Sequence, residues 1–156
     1  MRFTQIWQGS LLSLALAGLS SSAPAAAPSA RLVKVMPQFI DSQGRVALNP
    51  SLYERDAYQV YLRRHPAERG GLRFQVQWKS ATLRQVTLRM ELRGNKAKQG
   101  TSLTLEEPIE HRGLFNSWST ITLRGEPYEK FGELSAWRAT LWKGDQMLSE
   151  QKSFLW

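Results

Sequence analysis

Cysteine is absent from the chain. That absence removes disulfides, a thiol nucleophile, thiolate-ligated zinc and lipid attachment through a cysteine. Histidine is nearly absent: His65 and His111 are the only two. No G-x-S-x-G elbow, G-x-G-x-x-G turn or phosphate-binding P-loop occurs. The sequence signatures of α/β-hydrolases, dinucleotide binders and nucleotide triphosphatases are therefore missing. No block of five or more like charges exists, so nothing reads as a charged tail. No internal repeat is visible, and no low-complexity segment lies beyond residue 30.

The first 30 residues do carry a pattern. Met1-Arg2 is a short basic start. Leu11, Leu12, Leu14, Ala15, Leu16, Ala17 and Leu19 form an apolar run, shorter than the roughly 20 residues that span a bilayer. Small-x-small sites follow, after Ala23, Ala25 or Ala27. The expectation is a signal peptide over residues 1–27, cleaved within 23–30. It would deliver a periplasmic or extracellular protein with no membrane span after cleavage.

Residues 31–156 have the size of one domain with one core. The chain is 42% hydrophobic, with six Trp, six Phe and four Tyr, a globular composition. Its formal charge is +8; Arg2 is the only charge before residue 31, so the rest carries +7. A protein or an anionic envelope polymer is the expected partner, and no nucleic acid is expected.

Arg31 to Met36 reads as a first strand, with Pro37 marking an edge or bend. Asp41-Ser42-Gln43-Gly44 is turn chemistry. One short helix is expected near 51–64. Ser51 and Glu54 fit a capping box, Leu52, Tyr53, Ala57, Val60 and Tyr61 fall near helical spacing, and Arg63 and Arg64 sit in the last turn. His65-Pro66 ends it. From Leu72 the period becomes two. Leu72, Phe74, Val76 and Trp78 alternate with polar residues, as do Val86, Leu88, Met90 and Leu92. The short link between these runs predicts a hairpin. Further strands are expected at 101–105, 118–123, 135–143 and 147–156, the last two joined at Gly144-Asp145. Residues 128–133 read as a loop or a short extended piece.

The fold class that follows is mainly β: a single-domain antiparallel β-sandwich of about 7–8 strands. Strand count and spacing resemble immunoglobulin-like and fibronectin-like sandwiches in general architecture. The Cys-Trp-Cys hallmark of true immunoglobulin domains is missing.

Candidate chemistry is sparse. Glu106, Glu107, Glu110 and His111 match no metal motif. Ser149 and Lys152 fit S-x-x-K, but without its companion motifs. No catalytic residue, cofactor or metal is expected. If the hairpin forms, Arg73, Lys79, Arg89 and Arg93, with Arg84 at the turn, share one polar face suited to an anionic ligand. Trp78 and Trp137 read as core, with Trp142 pointing the other way. The function expected is a non-catalytic binding or accessory domain that recognises a protein or envelope partner through a sheet face or strand edge. A cationic binder of anionic polysaccharide and a hydrolase with dispersed carboxylates are the alternatives.

Overall fold

The computed structural model describes residues 29–96, 100–111 and 116–156. The expected leader, residues 1–27, lies outside them. Seven strands are present among the described residues: β1 (Ala30–Asp41), β2 (Arg69–Ser80), β3 (Gln85–Gly94), β4 (Thr101–Glu110), β5 (Ser117–Arg124), β6 (Leu134–Lys143) and β7 (Gln146–Lys152). Helix α1 (Leu52–Arg64) joins β1 to β2 through a single 3-10 turn, and α2 (Glu126–Phe131) joins β5 to β6. The strands form two antiparallel sheets, ordered β1-β2-β5 and β4-β3-β6-β7. Among the described residues no helix is long and apolar enough to cross a membrane.

The alternating runs read from sequence are strands, but they do not form a hairpin. β2 lies between β1 and β5, and β3 lies between β4 and β6, in the other sheet. Period two says which face of a strand is buried; it does not say which strand lies beside it. Four residues separate Ser80 from Gln85, enough chain to span either the ~5 Å between paired strands or the ~10 Å between stacked sheets. Both runs have a fully apolar face, and facing each other across the core buries both. Phe74, Val76, Trp78, Leu88 and Met90 are completely buried there, joined by Ile121, Leu123, Ala139 and Leu141. Gly94 lies where a side chain would collide with the Phe131 carbonyl, so Phe131 can close one end of the core.

Helix α1 sits over the open edge of β1. Its buried or half-buried positions are Arg55, Tyr58, Gln59 and Leu62. The apolar residues that marked it in the sequence point the other way: Leu52, Tyr53, Val60 and Tyr61 are exposed. Polar fastening holds it instead. The Gln59 amide accepts the Phe39 N–H at 2.8 Å and donates to the carbonyls of Phe39 (2.9 Å) and Val46 (2.8 Å), taking the place of a neighbouring strand. Ser51 does occupy the N-cap position, but its side chain makes no capping hydrogen bond. Glu54 accepts from Asn49 instead, so the capping box does not form.

Asp41 organises the turn between β1 and α1. Its carboxylate accepts the backbone N–H groups of Gln43 (2.9 Å) and Arg45 (2.8 Å), the Arg45 Nε (2.7 Å) and the Tyr58 hydroxyl (2.8 Å). Burial alone would raise its pKa; the hydrogen bonds from Arg45 and Tyr58 outweigh burial and hold it at about 2. At the other end of α1, the buried Arg69 donates to the carbonyls of Leu62 (2.6 Å) and Arg63, lies 4.0 Å over the Phe39 ring, and pairs with Glu133 at 2.6 Å. The segment 128–133, expected as loop or extended, instead contains most of α2, and Gly132 in the left-handed region ends that helix.

Candidate functional site: an outer face without carboxylates

The two sheets carry similar numbers of cations on their outer faces and treat them differently. On β4-β3-β6-β7 the outward cations are Arg89, Arg93, Arg138 and Lys152, accompanied by Glu91, Glu106, Glu110 and Glu150. Arg89 pairs with Glu106 (2.6 Å), Arg138 with Glu91 (2.6 Å) and Lys152 with Glu150 (3.8 Å). The arginines also stack on indoles. Arg89 lies 4.6 Å from the Trp142 ring, and Arg93 and Arg138 lie 4.0 and 5.4 Å from Trp156. Three of the four cations on this face are thus paired with a carboxylate, and the fourth, Arg93, rests on an indole.

The register of β1-β2-β5 gives the opposite result. The outward rows are Arg31–Lys79, Lys34–Gln77–Trp118, Met36–Gln75–Thr120 and Gln38–Arg73–Thr122, with Arg124 ending β5. These positions hold five cations and no carboxylate. None of the five makes an ion pair among the described residues. Arg73 donates to the Gly44 carbonyl at 3.0 Å, while its Nε is buried with no partner among the described residues. Arg31 and Lys79 stand directly opposite one another, an arrangement that is unfavourable without a counter-ion. Trp118 is 52% exposed and shares a row with Lys34, so an indole and a lysine flank Gln77 at the two ends of that row.

A β-bulge produces part of this arrangement. Leu32 faces the core opposite Trp78, and the register shifts between Leu32 and Lys34. Without the extra residue, Val33, strict alternation would turn Lys34 into the core. With it, Lys34 points outward opposite Gln77 and Val35 faces inward opposite Val76.

Beside the Arg31–Lys79 pair a cavity of about 670 Å³ opens, lined by Ser29, Ala30, Arg31, Lys79, Ser80, Ala81, His111 and Asn116. His111 is buried against Trp78, ring centres 5.4 Å apart and edge to face, and its Nε2 has no hydrogen-bond partner among the described residues. A second cavity of about 560 Å³ lies between β4 and β5 and includes Glu107, Glu110 and Trp118 in its lining. Alternation puts Glu107 and Glu110 on opposite faces of β4, so these two carboxylates do not face each other.

The five cations expected to share one face are therefore divided. Arg73 and Lys79 lie on the three-stranded sheet. Arg89 and Arg93 lie on the far side of the molecule, and Arg84 is exposed in the link between the sheets. The division follows directly from the missing hairpin. Ser149 of the S-x-x-K match accepts the Leu32 N–H at 3.1 Å, tying β7 to β1, while Lys152 pairs with Glu150. Among the described residues no group of three His, Asp or Glu could hold a metal ion. Sequence reasoning missed Arg31, Lys34, Arg124 and Trp118. Trp118 had a signal: Ile121 and Leu123 set the inward parity of β5, which leaves position 118 outward. Lys34 had none, because the bulge reverses its parity. Comparison with known proteins finds no match to this chain among protein-family models, curated proteins or solved structures.

Proposed function

We propose that this chain is a binding domain that takes an anionic partner, an acidic envelope polymer, on the outer face of β1-β2-β5. One observation carries the reading: five cations without a carboxylate on that face, against a neighbouring sheet that pairs three of its four with carboxylates. Unpaired cations cost stability through mutual repulsion and are useful when a ligand supplies the missing negative charge. Arginine offers a planar fork to carboxylate or sulfate, and lysine a mobile point charge. Trp118 adds a ring face on which a sugar can stack beside the charges.

The architecture supports a scaffold role. Lettering β1–β7 as A–G gives sheets A-B-E and D-C-F-G. An immunoglobulin constant domain has A-B-E-D and C-F-G. The reading is an immunoglobulin-like β-sandwich whose fourth strand has changed sheets. The leader pattern of residues 1–27 would place it in the periplasm or outside the cell, where acidic polymers are met.

The test is titration of the purified protein with a sulfated or uronate polysaccharide across salt concentrations. Lys34→Gln and Lys79→Gln should each weaken binding about 5-fold, about 1 kcal/mol, without lowering Tm, and relief of the Arg31–Lys79 opposition should raise it slightly in the second. Arg89→Gln, on the opposite face, should leave affinity unchanged. Equal affinity for the wild type and the combined Arg31→Gln, Lys34→Gln, Lys79→Gln protein would sink the proposal.

A further inference from the structure

Strand edges are where sheets recruit other chains, and proteins generally guard them. Three of the four edges here are guarded. β1 has Phe39 capped by Gln59, its Leu32 N–H bound by Ser149 and its Val33 carbonyl reached by Gln151 at 3.4 Å. β4 carries Glu106, Glu107 and Pro108. β7 carries Glu150 and Lys152, and its pairing with β6 is irregular between Leu141 and Trp142. β5 has none of these devices. It pairs with β2 in unbroken register, contains no proline, and has a single charge, Arg124, at its end. From Trp118 to Arg124 nothing among the described residues bonds its outer edge.

The direction of its backbone groups follows from the ladder. Phe39 gives its N–H and C=O to Gln59, so the opposed Phe39–Leu72 pair exchanges no bonds. Alternation then makes Leu72–Leu123 a bonded pair. Leu123, Ile121 and Ser119 bond to β2, and Trp118, Thr120, Thr122 and Arg124 aim their N–H and C=O groups outward.

We infer that β5 is a self-association edge, and that a second copy of this chain pairs with it antiparallel across a two-fold axis at Ile121. That register is the one in which the strand complements itself. Thr120 of one copy stands opposite Thr122 of the other, a favourable cross-strand pair. Trp118 stands opposite Arg124 of the second copy, so the lone charge of each edge meets an indole rather than its like. All four are residues with outward backbone groups, so each opposed pair exchanges hydrogen bonds. The product is a continuous six-stranded sheet made from two three-stranded ones. Two carboxylate-free faces become one, and each copy adds Arg124 beside the other's Trp118. This pairing does not depend on the anionic-partner reading, because mass reports the one and polymer affinity the other.

Sedimentation of the protein over the micromolar to millimolar range tests it. A reversible monomer–dimer equilibrium is expected. Thr120→Pro removes an outward N–H without touching the β2 ladder, and should give a folded monomer. Arg124→Ala, on an exposed side chain, should weaken association about 5-fold with Tm unchanged. A wild type that stays monomeric throughout overturns the inference. So does a dimer that both variants leave intact, or an edge that binds extended peptides while the protein itself never associates.

Discussion

Arg69 has more to lose than any other single charge described. Its side chain is 3% exposed, and it serves two carbonyls of α1, the face of Phe39 and the Glu133 carboxylate. Arg69→Ala takes the donor from the Leu62 and Arg63 carbonyls, while the exposed Glu133 carboxylate can turn to water, and should cost about 1–3 kcal/mol by chemical denaturation. Arg69→Lys should recover little of it, since an ammonium cannot reproduce the fork. Asp41 is the matching acid. Its pKa is held near 2, below the ordinary 3.8, so its contribution is complete above about pH 4 and is lost as pH falls through 2. Melting curves between pH 5 and 2 should show this limb. Asp41→Asn should flatten it and lower stability at neutral pH by about 1–3 kcal/mol. An unchanged slope in that variant would assign the acid sensitivity to other carboxylates.

At the scale of elements, strands were far more legible than their partners. The apolar parity of β2 and β3 identified Phe74, Val76, Trp78, Leu88 and Met90 as core from sequence, because burial on one side of a pleat leaves a two-residue period. Pairing leaves no such trace, and the four-residue link between β2 and β3 allows either a hairpin or a crossing between sheets. The candidate site inherited that ambiguity: Arg73 and Lys79 were separated from Arg89 and Arg93 by a choice of neighbour, not of face. Helix α1 was placed correctly for a reason that does not hold it. Its stripe of Leu52, Tyr53, Val60 and Tyr61 faces solvent, and the fastening comes from Gln59 and Tyr58. Ser51→Ala should therefore change stability by less than about 0.5 kcal/mol, whereas a working N-cap would cost about 1. Gln59→Ala strips partners from Phe39 and Val46 and should cost about 1–3 kcal/mol. Urea unfolding of the two variants side by side checks the ranking. Equal losses would mean that the cap forms in solution.

For the whole molecule, the decisive property is the contrast between two outer surfaces of one small domain. Trp78→Ala should cost about 3–5 kcal/mol, because it opens the core that both sheets share. Substitutions on either outer surface should leave that core intact, which permits charge to be varied separately from folding. The carboxylate-free side is the one that distinguishes where a charge sits from how many there are. Exchanging Lys34 for Glu and Glu106 for Lys would keep the formal charge while cancelling the contrast. A protein with charge gathered on one side has a dipole, and a dipole turns in a field before it touches anything. Approaching a negatively charged matrix, the molecule would rotate β1-β2-β5 forward during diffusion. Capture would then be faster than net charge alone allows, and most of that gain would vanish once ions shorten the field to a few ångströms.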